Sequence, residues 1–294
     1  MYRSRVPSHA AKRLKKWQNF GLGCHPKKAQ ATRLAIPGWA AAGAMIHWPA
    51  LAAHLHLQVP PKRLLWALAF TVAFALSARW LKAVTLSGAV AGGVLAFLLF
   101  LGGGPGTFAV LITVFLLTWA STRIGHSRKQ QLGTAERQGG RSASQVVANV
   151  GIAAVAALAS LITGHPGAWL VAAAAGLAEA AADTTSSEVG EALGHTTYLI
   201  TNFRAVPAGT DGGISVPGSV AGILAALSVA TVAWALRMIA PNCWLPVGAA
   251  GLLGMFVDSL LGASLERRRL LNNDAVNLLS TLSAAVFALF LYWS

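Results

Sequence analysis

Charged side chains make up only 11% of this 294-residue chain, against about 25% in an ordinary soluble domain. A water-soluble enzyme is thereby excluded. Cysteine occurs twice, at Cys24 and Cys243, so neither a disulfide framework nor a Cys-based zinc site is available. Any metal would have to be held by oxygen ligands. No G-x-S-x-G motif occurs and no histidine stands at a recognisable spacing from a serine, which removes the Ser/His/Asp type of hydrolase. Acids are scarce beside bases, nine against 23 Lys and Arg.

Apolar residues are abundant, at 55%, and fall in runs approaching the roughly 20 residues that cross a bilayer. Without water to pair the backbone, such runs must be helices, and the sequence predicts an all-α, polytopic membrane protein. Eight spans stand out: 64–81, 84–103, 105–122, 146–163, 167–182, 217–239, 243–262 and 276–293. A ninth, 36–53, is weaker because it contains His47 and Pro49 and runs into His54 and His56. Loop charge decides in its favour. With about nine transmembrane helices and a cytoplasmic N-terminus, twenty of the 23 cations lie inside, leaving Lys62, Arg63 and Arg237 outside, as the positive-inside rule requires. With eight spans, the basic arm at the start of the chain would have to be translocated. The expected organisation is a basic cytoplasmic arm over 1–35, a weak first helix and its connection over 36–63, and a membrane domain over 64–294. Its setting would be a bacterial cell membrane, with the active face cytoplasmic.

The arm carries nine cations and no acid in its first 33 positions. In a membrane protein this reads as orientation and attraction to anionic headgroups, not as nucleic-acid binding. It is short of serine and lacks an amphipathic pattern, unlike a transit peptide. The acids make a separate statement. Glu136, Glu179, Asp183, Glu188, Glu191, Asp211, Asp258, Glu266 and Asp274 all fall on the cytoplasmic side or within about a turn of it. Acids do not obey the rule that set the topology, so a polar site opening to the cytoplasm follows independently. His47, His54 and His56 lie at the opposite end and read as interfacial polarity, not a metal site.

The richest stretch is 176–222. Glu179 and Asp183 are four apart, hence on one helical face, and acids at membrane depth are rare unless paired or functional. Glu188 lies about 140° further around a regular helix, so it joins Asp183 at one ion only if the helix breaks or several helices enclose the site. Glu191 reads as a solvated surface acid. Next, Pro207 to Gly213 forms a flexible glycine-rich loop that delivers Ser215 and Gly218 to a helix N-terminus, a geometry suited to phosphate. A plain turn between helices is the alternative, since no Walker lysine is present. Small residues spaced by four, from Thr85 to Gly92 and from Pro217 to Gly222, favour close helix packing. Asp258 shares a face with Gly262 and Glu266. Asn149 and Asn277 enter their spans as polar positions for which interhelical hydrogen bonding is the simplest role. Arg123, with His126, Arg128 and Lys129, could receive an anionic headgroup, although loop charge explains these cations almost as well.

Six ordered segments, KAVTLSGAVAGG, SASQVVANVG, ADTTSSEVG, LITNFRAVPAGTDGGIS, VDSLLGASLERR and NNDAVNLLS, resemble the integral-membrane domain-of-unknown-function family that includes plant phytyl-phosphate kinase and animal transmembrane protein nineteen. The resemblance covers about 64–294. That family is in turn similar to dolichol kinase and phosphatidate cytidylyltransferase. The resemblance implies that Asp183 and Glu188 form an acidic motif, Gly209, Thr210, Gly212 and Gly213 a glycine-rich motif, and Asp258 a late acidic motif, with Asn149 and Asn277 as intramembrane asparagines. Thr184, Thr185 and Asp211 depart from its pattern, and Asp211 adds negative charge beside the proposed triphosphate.

The function so implied is phosphoryl transfer from a nucleoside triphosphate, CTP by resemblance, to an isoprenoid monophosphate lipid. A monophosphate acceptor is already largely ionised at pH 7, with a second pKa of about 6, so no strong base is needed. Mg²⁺ held by some of Asp183, Glu188 and Asp258 would bridge the triphosphate. Gly209, Thr210, Gly212, Gly213 and Ser215 would cradle it, Arg204 or Arg123 would offset charge, and Glu179, Asn149 and Asn277 would lend polar support. A lipid-phosphate cytidylyltransferase is one alternative. A transporter or scramblase is the other, but it should spread polar groups across both membrane halves.

Overall fold

The computed structural model describes residues 59–135, 139–163 and 165–294. The basic arm, the ninth span at 36–53, its histidines and Glu136 lie outside them. Eight α-helices carry the described chain: α1 Pro61–Trp80, α2 Leu86–Arg123, α3 His126–Leu132, α4 Ala143–Ile162, α5 Pro166–Leu193, α6 Val216–Ala235, α7 Trp244–Leu261 and α8 Asn273–Trp293. Six helices are long and apolar enough to cross a membrane. One of them, α2, is two arms. Gly104 takes φ 75° and ψ −163° ahead of Pro105, a conformation open only to glycine, and the helix folds back on itself. A straight 38-residue helix would be about 57 Å long, yet Arg123 at its end donates to the Leu81 carbonyl just before its start (3.3 Å). The rings of Phe100 and Phe108 also face each other across the turn at 5.8 Å. The arms correspond to the separate spans expected at 84–103 and 105–122.

The caps alternate with direction. Helices α2, α4, α6 and α8 begin with side-chain caps from Thr85, Ser142, Ser215 and Asn272, each supplying an acceptor for an otherwise unpaired N–H. At Ser142 the cap is reciprocal with Gln145, a full capping box. Helices α1 and α5 instead start on proline, which loses nothing at the first turn. All four side-chain caps lie at one end of the bundle, together with the acids. At the other end, Arg63 donates to the Phe100 carbonyl (3.4 Å) and His165 packs on Trp293.

Helix α5 is not among the six apolar helices, because four acids interrupt it. It is nevertheless the axis of the molecule, packed by α2, α4, α6, α7 and α8. Its alanines, from Ala172 to Ala175 and at Ala178, Ala180, Ala181 and Ala182, are essentially inaccessible. A helix buried on every side needs small side chains more than an apolar stripe. Two glycines of α7 extend the same logic. A Cβ at Gly251 would stand 2.9 Å from that of Ala178, and one at Gly254 would meet Ala284 and the Ser280 carbonyl at 2.9 Å. Close approach to α5 and α8 is therefore possible only without side chains here.

Beyond the all-helical expectation, a small antiparallel sheet of order β2-β1-β3 forms from β1 Thr197–Leu199, β2 Ala205–Val206 and β3 Gly213–Ile214, with Tyr198 opposite both Ala205 and Ile214. The segment expected as a loose loop is thus pinned. Strands this short carry no readable periodicity.

Candidate functional site

At the capped end of the bundle lies a polar cavity of about 260 Å³, built where α5, α7 and the sheet converge. Helix α5 contributes Asp183, Glu188 and Glu191, and α7 with its continuation contributes Asp258 and Glu266. Asp183 and Asp258 line the same cavity, so two helices far apart in sequence do share one acidic site. Asp258 also accepts from Ser280 of α8 (3.2 Å). Helix α7 ends in a π turn, Gly262–Glu266, an irregularity common at functional sites. That turn brings Gly262 against the backbone of Gly212, so the glycine loop is seated on the same wall.

Gly209, Thr210, Gly212, Gly213 and Ser215 all line this cavity, as the motif implies. Gly209 and Gly212 have φ of 82° and 71°, where a Cβ is strained, and Gly212 has no room for one beside Ala263. Ser215 caps α6 by accepting from Gly218 N–H (3.2 Å), and the helix start therefore points toward the acids. Asn149 and Asn277 line the cavity as well. Neither shows an interhelical bond of the expected kind: Asn149 donates to Gln145 of its own helix (2.9 Å), and the Asn277 carbonyl accepts from Ser280 and Thr281.

Four expectations are revised. Glu188 reaches the cavity, but both its oxygens are engaged: Oε1 accepts from Thr122 (3.0 Å), and Oε2 is ion-paired with the fully buried Lys129. Lys129 also donates to the Ser121 and Thr122 carbonyls (3.3 and 2.7 Å), so Glu188 pins α3 to α5 and is not a free metal ligand. Arg204 sits exposed at the turn before β2, outside the lining. Arg123 is also outside it, stacked 4.0 Å over the ring of Trp119. Glu191 is not a surface acid; it lines the cavity beside Gly209. Arg141 was missed. Among the described residues it is the only cation in the lining, and its distance in sequence from the acidic motifs gave no signal.

Charge follows from this inventory. Asp183, Glu188, Glu191, Asp211, Asp258 and Glu266 line one cavity, and among the described residues Arg141 alone opposes them there, apart from the Lys129 pair behind the wall. One turn deeper, Glu179 is 1% exposed and neither of its oxygens has a hydrogen-bond partner. Such an array cannot hold a phosphate group unless a cation enters with it. Its donors are hard oxygens, which suit Mg²⁺, an ion commonly bound by one or two carboxylates plus substrate phosphates. No group of three His, Cys, Asp or Glu side chains placed to hold a metal ion occurs among the described residues.

Residues 69–285 match the family model described as integral membrane protein DUF92. The chain belongs to that family. An uncharacterized membrane protein of Synechocystis is 34% identical over 62% of this chain and 72% of its own length. The chloroplastic protein VTE6 of Arabidopsis thaliana is 30% identical over 70% of this chain, which spans 64% of the plant protein. An uncharacterized membrane protein of Methanocaldococcus jannaschii is 30% identical over 70% of this chain and 84% of its own length. No solved structure matches. The matched region contains every residue that lines the cavity, and the family resemblance seen in the six polar segments holds.

Proposed function

We propose that this protein is a membrane-embedded phosphotransferase that converts an isoprenoid monophosphate to its diphosphate at the expense of a nucleoside triphosphate, CTP being favoured by the family resemblance. The observation that carries the reading is one cavity lined by Asp183 and Asp258, from separate helices, together with a glycine loop and the start of α6. The kinship with protein VTE6 and the likeness of the motifs to plant phytyl-phosphate kinase support the acceptor class.

Asp183 and Asp258 would hold Mg²⁺, with Glu266 nearby. When bound, the ion supplies neutralisation of phosphate charge. The chain itself does the positioning. Backbone N–H groups of the loop over Gly209 to Gly213 and the N-terminus of α6 receive the triphosphate, where the helix end favours negative charge. Arg141 offsets charge on the transferring group, a role for which a preorganised donor is worth about 10²–10³ in rate. A monophosphate acceptor needs no proton removed near neutral pH, and none of the acids has to act as a base. We place nine helices in the membrane with the N-terminus and the polar end cytoplasmic, on the strength of the cation distribution. Polar groups confined to one end favour this reading over transport.

The test is mass spectrometry of products from the purified protein, Mg²⁺, CTP or ATP, and a panel of prenyl monophosphates and alcohols. A prenyl diphosphate is expected. A cytidine-linked lipid would move the reading to a cytidylyltransferase, and the absence of product in every combination would overturn it.

A further inference from the structure

Beside the polar cavity runs a second, larger space of about 600 Å³ between α1, the two arms of α2 and α4. Its walls are apolar, with Phe74, Leu111, Val114, Phe115 and Val150 along its length, and no carboxylate among the described residues lines it. Its polar margin is basic: Lys82, Arg123, His126 and Arg141. Arg141 and Asn149 line both spaces, so the apolar groove opens into the acidic cavity through one arginine and one amide. The segment carrying Arg141 is fixed independently of its side chain, since its backbone N–H donates to Ala83 and its carbonyl accepts from Thr85, both at 3.0 Å.

Size narrows the occupant. An apolar cavity of about 150 Å³ takes one benzene ring, or about 25 Å³ per carbon, so the groove holds about 24 carbons. A two-chain phospholipid, with more than about 30 carbons in its chains alone, exceeds that volume by the same measure. One chain of about 20 carbons fits it, and the basic margin formed by Lys82, Arg123, His126 and Arg141 favours an anionic head.

We propose that this groove seats a single-chain lipid phosphate, its chain between α1 and the arms of α2 and its phosphate on Arg141, turned toward the acidic cavity. The fate of that phosphate rests on the phosphotransferase reading above; its binding does not. Chain number, not only headgroup, then selects the acceptor, and phosphatidic acid, whose second chain would lie outside the groove, should bind more weakly.

The full-length protein in nanodiscs can be photolabelled with geranylgeranyl monophosphate bearing a diazirine near the far end of the chain. Labelled peptides are expected from the groove-facing sides of Pro61–Trp80 and Leu86–Arg123. Unmodified geranylgeranyl monophosphate should compete at least ten-fold better than geranylgeraniol, inorganic phosphate or dioleoyl phosphatidic acid. At Gly92 a Cβ makes only an ordinary 3.6 Å contact with Val146, so Gly92→Leu places its outer carbons in the groove and should cut labelling at least ten-fold. Val94→Leu, on the exposed face of the same arm, is the control. Arg141→Gln should abolish the preference for phosphate over alcohol.

Labelling confined to outer faces, equal competition by phosphatidic acid, or unchanged labelling of Gly92→Leu would overturn the proposal. Turnover measured on the same samples separates the two readings. Specific labelling without nucleotide-dependent product sinks the phosphotransferase and leaves the groove standing. Undiminished turnover and substrate KM in Gly92→Leu sink the groove and leave the phosphotransferase.

Discussion

Replacing Lys129 by methionine tests whether Glu188 is an anchor or a ligand. Lys129 is fully buried and gives its three donors to two carbonyls and to Glu188. Lys129→Met keeps the length of the side chain but leaves Glu188 a part-buried carboxylate held only by Thr122, with the Ser121 carbonyl losing its side-chain donor. Breaking a buried pair from one side costs about 3–5 kcal/mol. The seven-residue α3 is too short to stand without tertiary contacts and would be left attached chiefly through Arg128, which donates to the Ala192 and Gly194 carbonyls (3.2 and 2.6 Å). Glu188→Met should cost a similar amount by stranding the ammonium. The double variant, with an apolar pair in place of the ions, should return to within about 1 kcal/mol of the parent, because such a swap is often neutral or better. Denaturant titration in mixed micelles, followed by tryptophan fluorescence, gives the double-mutant cycle. Turnover of the folded double variant should stay within a few-fold of the parent. Additive losses in stability would refute the ion-pair account. A stable but inactive double variant would return Glu188 to the metal.

Asp183→Asn and Asp258→Asn should each remove nearly all turnover while the protein still folds, an amide being easier to bury than a carboxylate, and the double variant should be little worse than either; folded single variants with most of their activity would defeat the metal assignment. Arg141→Ala should lower kcat by about 10²–10³, whereas Arg204→Ala should change it less than two-fold, and the reverse ranking in steady-state kinetics would overturn the cavity inventory. Gly254→Leu should cost about 1–3 kcal/mol by overpacking and lose turnover by parting Asp258 from Asp183; a thermal melt and rate equal to the parent would show that the close approach of α7 is dispensable. Cysteines introduced at Ser142 or Thr196 should react with an impermeant maleimide from the cytoplasm, and those at Gly103 or His165 from the other side, so inverted labelling would reverse the proposed orientation.

Composition and run length alone determined that this chain is a helical membrane protein, because burying a backbone in lipid leaves no other solution for spans of this kind. Seven of the eight strong spans could be read from hydropathy as apolar helices, down to the two arms on either side of Gly104 and Pro105, while 167–182 lies in α5, which is not among the six apolar helices. So could the gathering of acids at one end, since residues two spans apart return to the same surface. The glycine loop and the acids Asp183 and Asp258 were legible from residue type. What each side chain faces was not. Glu188 and Asp183 belong to one helix and one motif, but Lys129 from α3 takes one oxygen of Glu188 and Thr122 the other, and no local pattern encodes a partner 59 residues away. Arg204 stands inside a family motif yet turns outward with a tight β connection, while Arg141, just ahead of a segment read for its Asn149, becomes the cation between two cavities. Sequence sets which groups are costly to bury. Only the packing of α5 against its five neighbours decides which of them find a counter-charge and which are left to meet a ligand.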